Sequence, residues 1–401
     1  SSAASDVYKR QVRGGDREIE MCARCHSRRS PITADYEHGK PLLDHYLPRL
    51  LEEGMYFADG QIDDEVYVYG SFLQSKMYSA GVTCSDCHDP HNLQLRLPAS
   101  GVCLQCHQAE RYDQPAHHFH KSESEGASCA ECHMPPRTYM VVDPRHDHSM
   151  RIPRPDLSVK LGTPNACNNC HRDKPPEWAV KKLENWSGQP SKGFQRYAPA
   201  LYAERSDQSA AGAELAALIR DTGTPDIVRA TALSRFGRHL SAQTIDAFTA
   251  GLADDNPIVR HASVQSLEYV PLAARVKLAF PLLNDPVRAV RIEAARVLAA
   301  IPEGDLAKDQ VAQMTKGLQE YIRAQQAMAE RPEAQTNLGN LYAARGKFDE
   351  AVAAYQAAVG LDAAYVPGYV NLADLYRATG KESESELQLR RAAAAAPDNA
   401  D

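Results

Sequence analysis

The ten cysteines fall into five Cys-x-x-Cys pairs, and each pair is followed at once by histidine. The segments are Cys22-Ala-Arg-Cys25-His26, Cys84-Ser-Asp-Cys87-His88, Cys103-Leu-Gln-Cys106-His107, Cys129-Ala-Glu-Cys132-His133 and Cys167-Asn-Asn-Cys170-His171. This is the attachment pattern of a c-type haem. Two thiols three residues apart can add to the two vinyl groups along one edge of a porphyrin. The adjacent imidazole then ligates the iron from the proximal side. A zinc site needs two such pairs brought together and no fixed histidine after each, and a disulfide framework needs no histidine. The expectation is five haem c groups, with these ten cysteines as thioether anchors and His26, His88, His107, His133 and His171 as proximal ligands.

Eight more histidines share the region: His38, His45, His91, His117, His118, His120, His146 and His148. Five irons need five distal ligands, so mostly bis-His coordination is expected, which lowers a potential relative to His/Met. Met77, Met140 and Met150 are the methionines available instead. His91 follows His88 by three residues, too short a link to round a ring edge, so it should reach a neighbouring iron. His146 and His148 point opposite ways along an extended stretch, and His148 is favoured. The distal candidates are His45, His91, His117, His118, His120 and His148. His239 and His261, on later helices, read as surface residues, and no residue is assigned a catalytic role.

About thirty residues per haem cannot build a conventional core, so the rings themselves should fill residues 1–176. Two helical stretches are expected there. One lies near Leu42–Leu51, where Leu43, Tyr46, Leu47 and Leu50 share a face interrupted by Pro48. The other lies near Asp63–Ser79, with Val66, Tyr69, Phe72, Leu73 and Met77 at helical spacing. The prolines between Cys132 and Cys167 predict irregular chain, and residues 177–205 read as a linker.

Beyond it the chain turns Ala-rich and periodic. Val228-Arg229, Val259-Arg260 and Val290-Arg291 recur every 31 residues, with turn signals at Asp255-Asn256-Pro257 and Asn284-Asp285-Pro286. This resembles HEAT-type repeats over 206–304. From 305 to 401 the period becomes 34. Leu338, Gly339, Tyr342, Gly346 and Lys347 are matched by Leu372, Ala373, Tyr376, Gly380 and Lys381, and Ala358 by Ala392, while Tyr321, Tyr355 and Leu389 keep the same spacing. That is the tetratricopeptide pattern, two full repeats after a helix at about 309–330. The expected fold is mainly α: a haem-packed cytochrome c domain with little regular structure, then an α-solenoid.

Across 401 residues the hydrophobic fraction is 43% and the net charge −7. That charge argues against a nucleic-acid partner, and no apolar run approaches the roughly 18 residues a membrane span needs. Haem thioethers form on exported chains, so the compartment should be periplasmic or extracellular. Ser1–Gln11 looks like translated sequencing-adapter read-through, which implies a longer natural protein with room for haems upstream; the alternative is a real, disordered N-terminus.

The run from Met21 to about Trp178 resembles a multihaem c-type cytochrome family of environmental bacteria with following HEAT and tetratricopeptide repeats. The resemblance rests on Asp59-Gly60-Gln61-Ile62, Tyr69-Gly70-Ser71-Phe72, Gly81-Val82-Thr83-Cys84, Asp89-Pro90-His91, Cys132-His133-Met134-Pro135, Arg145-His146-Asp147-His148-Ser149-Met150 and Thr163-Pro164-Asn165-Ala166-Cys167. It implies architecture and ligands more than a substrate. Electron transfer is the favoured role, with redox proteins as partners and the repeats as a docking surface. The alternative is a reductase of a nitrogen or sulfur oxyanion with one open iron, although the Cys-x-x-Cys-Lys marker of nitrite reductases is missing.

Overall fold

The computed structural model describes residues 15–92, 94–189, 193, 195–241 and 244–397. Ser1–Gln11, read above as read-through, lies outside them. The chain divides into two compact units, Ser1–Arg29 with Pro48–Ser263 and Ser30–Leu47 with Val264–Asp401.

In the first unit, α1 (Gly15–His26) carries the first Cys-x-x-Cys-His segment, with Asp16 and Glu18 in its first turn and Arg24 and His26 in its last, signs that suit the helix dipole. The other four segments form single helical turns or parts of them. Between them a hairpin pairs β1 (Pro136–Tyr139) with β2 (Asp143–His146), Arg137 opposite Arg145 and Thr138 opposite Pro144. Then follow α2 (Pro155–Leu161), α3 (Pro176–Ser187) and α4 (Ala198–Arg205). Both ends of the segment read as a linker are therefore helical.

Two expected helices take other forms. Leu42–Asp44 is a 3-10 turn and Tyr46–Pro48 a short strand. Pro48 cannot donate to a helix interior, and Leu42, Leu43, Leu50 and Leu51 are all buried, which a single helical face does not require. Asp63–Ser79 holds only two short helices, Tyr69–Phe72 and Lys76–Ser79, because Ser75 stops the first and caps the second, its hydroxyl accepting from Tyr78 N–H at 3.0 Å.

The first unit has a side-chain core. Leu51, Tyr56, Ile62, Val66, Phe72, Tyr139 and Leu157 are buried. Of the helices α4, α5 (Ala211–Arg220) and α6 (Asp226–Phe236), α4 and α6 are bonded to it. Arg205 donates to the carbonyls of Tyr56 and Leu51, both at 2.8 Å, and Thr231 Oγ1 accepts from Leu51 N–H at 3.1 Å.

The array continues with α7 (Ile245–Leu252), α8 (Pro257–Ser266), α9 (Leu272–Ala279) and α10 (Arg288–Leu298). The 31-residue period has a physical basis. Val228, Val259 and Val290 are fully buried. Arg260 folds back onto the carbonyls of Asp254 and Asp255 at 2.8 and 3.0 Å, and Arg291 onto those of Asp285 and Pro286 at 2.7 and 3.0 Å. The turn aspartates cap two residues on: Asp254 accepts from Asn256 N–H and Asp285 from Val287 N–H. Arg229 also reaches forward to the Asp254 carboxylate, and Arg291 to Glu320 through two nitrogens at 2.9 and 3.2 Å. His261 is buried rather than on the surface, because Ile258, Val259, Ala262 and Ser263 bury α8 round most of its circumference.

The second unit ends in α11 (Lys308–Gln326), α12 (Pro332–Ala344), α13 (Phe348–Leu361), α14 (Val366–Ala378) and α15 (Glu382–Ala395). Ala351, Tyr355, Leu372 and Leu375 form one buried cluster. A side chain at Gly339 would collide with the Tyr355 ring, so glycine lets α12 and α13 approach, and Tyr355 Oη donates to Asn340 at 2.7 Å. Gly346 and Gly380 turn the chain at φ +70° and +74°, where a side chain is disfavoured. Among the described residues no helix is long and apolar enough to cross a membrane.

Candidate functional site: three imidazole pairs

The structure brings six of the expected ligand histidines together two by two. His88 and His148 lie with ring centroids 6.3 Å apart and planes 23° from parallel. His117 and His133 are 6.2 Å apart at 15°, and His120 and His171 are 6.2 Å apart at 32°. Each pair joins segments separated by at least sixteen residues of sequence for His117–His133 and by more for the others.

One ring of every pair has its Nδ1 on a main-chain carbonyl. His148 Nδ1 meets His146 O at 2.9 Å, His133 Nδ1 meets Arg151 O at 2.8 Å, and His120 Nδ1 meets His118 O at 2.5 Å. A carbonyl can only accept, so in each of these rings Nδ1 carries a proton. Ring pairs at 4.5–7 Å are common in apolar cores. These differ in repeating one spacing three times with one Nδ1 on a carbonyl in each.

Local structure positions the rings. His88 follows the turn Cys84–Cys87, which is closed by a capping box in which Asp86 accepts from Thr83 N–H at 2.8 Å. Glu18 of α1 accepts from Ser85 N–H and Oγ at 2.7 and 3.0 Å. His171 follows the turn Ala166–Cys170, capped by Asn165, and lies 4.7 Å from the Trp178 ring on α3. His120 has Trp186 edge-on at 6.3 Å, and Trp186 stacks on Phe119 at 4.4 Å. A side chain at Gly126 would meet the His120 ring, so glycine leaves it room. Burial and the neighbouring imidazole both hold His148 and His117 below the usual histidine range, and burial with the charge of His26 does the same for His88.

The remaining expected ligands stand apart. His107 has Tyr112 edge-on at 5.4 Å. His91 and His26 are exposed. His118 Nδ1 accepts from His120 N–H at 3.2 Å. His45, in the second unit, is buried against Tyr36 at 4.5 Å with Nδ1 3.3 Å from Asp35 O. His146 is exposed and bonds Met134 O at 2.7 Å. None of the ten cysteines is joined to another by a disulfide. Cys22 and Cys84 are hydrogen-bonded, as are Cys103 and Cys129; the bond lowers Cys22 to about 7 and Cys129 to about 5, and raises their partners.

Sequence reasoning passed over a buried charge cluster beneath two of the pairs. Arg151 Nη1 lies 3.3 Å from Asp59 Oδ2 and Arg151 Nη2 lies 3.6 Å from Asp147 Oδ2, all three side chains under 5% exposed. Gln61 donates to Asp59 at 2.8 Å and to Pro164 O at 2.6 Å, while Tyr197 donates to Asp59 O and Gln74. Ser149 N–H and Ile62 N–H close on Asp147 at 2.9 and 3.4 Å. Desolvation raises the Asp59 carboxyl, with Arg151 and Gln61 opposing it.

Compared with known families, residues 245–329 match HEAT repeats, residues 339–380 a TPR repeat and residues 366–399 a tetratricopeptide repeat. Compared with curated proteins and with solved structures, the chain gives no match. The class so defined is a mainly helical protein with a C-terminal HEAT and tetratricopeptide array. Such repeats are a surface for protein partners.

The expectation of five haem c groups is corrected by these findings. The families that match are repeats alone. Among the described residues no group of three or more His, Cys, Asp or Glu comes together to hold a metal ion. The histidines gather in twos.

Proposed function

We propose that the protein carries single electrons between protein partners, docking them through its helical repeats, with the three imidazole pairs lying in its redox part. The observation that carries the reading is the recurrence of one spacing, 6.2–6.3 Å, in three pairs, in each of which one ring has its Nδ1 on a main-chain carbonyl. On this reading residues 1–176 are the redox part, 206–304 and 305–401 the docking part.

Reductive titration of the full chain after alkylation of every free thiol tests the redox half. Thiol–disulfide chemistry moves two electrons at a time, so uptake in one-electron steps that survives alkylation is the expected result. Uptake that vanishes on alkylation, or none at all, refutes it.

A further inference from the structure

We infer that the buried Asp59–Arg151–Asp147 cluster is the device that positions one ring in each of two imidazole pairs, with Arg151 as the shared positioning residue. This rests on the electron-carrier reading only for its purpose; the geometry stands without it.

Arg151 acts in two directions. Its main chain grips His133 twice, the Arg151 N–H donating to His133 O at 2.9 Å and the Arg151 carbonyl accepting from His133 Nδ1 at 2.8 Å. Its guanidinium grips the loop that carries His148. Nε donates to Ser149 Oγ at 3.0 Å and Nη2 faces Asp147, the residues on either side of His148 in sequence. Nη1 meanwhile fixes the whole to Asp59, donating to its carbonyl and carboxylate at 3.4 and 3.3 Å. His133 belongs to the pair with His117 and His148 to the pair with His88, so one residue, its main chain on the first and its guanidinium on the loop of the second, sets a ring in both. The rings of the third pair, His120 and His171, lie instead against Trp186 and Trp178.

A buried arginine between two carboxylates gains little stability over apolar packing. Its planar fork does fix direction, and outer bonds of this kind orient a ligating imidazole and set its tautomer. Lysine keeps the charge but lacks the fork.

The test compares the full chain with Arg151→Lys and with the charge-neutral double variant Asp59→Asn, Arg151→Gln. The readouts are solvent exchange of the three Nδ1–H protons by nitrogen-edited NMR and tryptophan emission. In both variants exchange at His133 and His148 is expected to rise about tenfold or more, which is about 1.4 kcal/mol of local protection. Exchange at His120 and the emission should stay unchanged. No change at His133 and His148 would overturn the inference. So would equal loss at all three rings, which would make the cluster a general prop of the fold. The protons are read whether or not a redox centre is bound, so a failed reductive titration and a failed positioning test are separate results.

Discussion

Gly126→Ala isolates one imidazole pair. A methyl at residue 126 would come under 3.0 Å from three atoms of the His120 ring, including the ring carbon nearest the backbone, so a rotation of the ring tip cannot relieve it. The ring must either stay, at an overpacking cost of about 1–3 kcal/mol, or swing away and lose its Nδ1 bond to His118 O, worth about 0.5–1.5 kcal/mol, with its contact to Trp186. A penalty of about 2 kcal/mol lowers occupancy of the native ring position about thirtyfold. The turn Glu125–Ala127 contains no buried residue, so the melting temperature should move little. The chain has two tryptophans, Trp178 and Trp186, and they lie against His171 and His120 of this same pair. Emission of the whole protein therefore reports on this pair, and it should shift in the variant while the His133 and His148 ring protons stay protected. Unchanged emission with a retained His120 Nδ1–H would refute the packing argument.

Leu372→Ala, in the buried cluster with Ala351, Tyr355 and Leu375, should cost the tetratricopeptide region about 2–5 kcal/mol in denaturant unfolding and leave tryptophan emission alone. Tyr355→Phe removes the bond to Asn340 and should cost about 0.5–1.5 kcal/mol by the same measurement. Arg291→Met strips the turn carbonyls and Glu320 of their partner and should cost about 1.5–3 kcal/mol, visible as a lower denaturation midpoint. Asp221 is held below the usual carboxylate range: burial raises it, but the Thr224 hydroxyl, Gly223 N–H and Arg196 outweigh that. Its stabilisation is complete above the ordinary carboxylate range and fades as pH falls through the depressed value. Asp221→Asn should therefore flatten the acid limb of a stability–pH curve and leave neutral pH the less stable.

The repeats were legible because their periods express local needs. Every 31 residues a valine must be buried and an arginine must close the turn behind it, and every 34 a small residue such as Gly339 must admit an aromatic such as Tyr355. The six paired histidines were legible as ligand types, yet their pairing was not. His88 and His148 meet only through the hairpin and the loop after it, which no periodicity encodes. The Asp59–Arg151–Asp147 cluster was hidden for another reason: charged residues are expected outside, and Asp59 is distant in sequence from the other two. Leu42–Leu51 misled because apolar residues buried on several sides by tertiary packing mimic a helical stripe.

The forward reach of Arg229 to Asp254 and of Arg291 to Glu320 makes neighbouring repeats chemically incomplete without one another. A chain cut between 291 and 320 would leave a guanidinium facing water where it had a two-point partner, and one begun there would leave a stranded carboxylate. Lengthening or shortening the array is thus tolerable only in whole steps that carry both halves of a bridge, which restricts how such a solenoid can be edited.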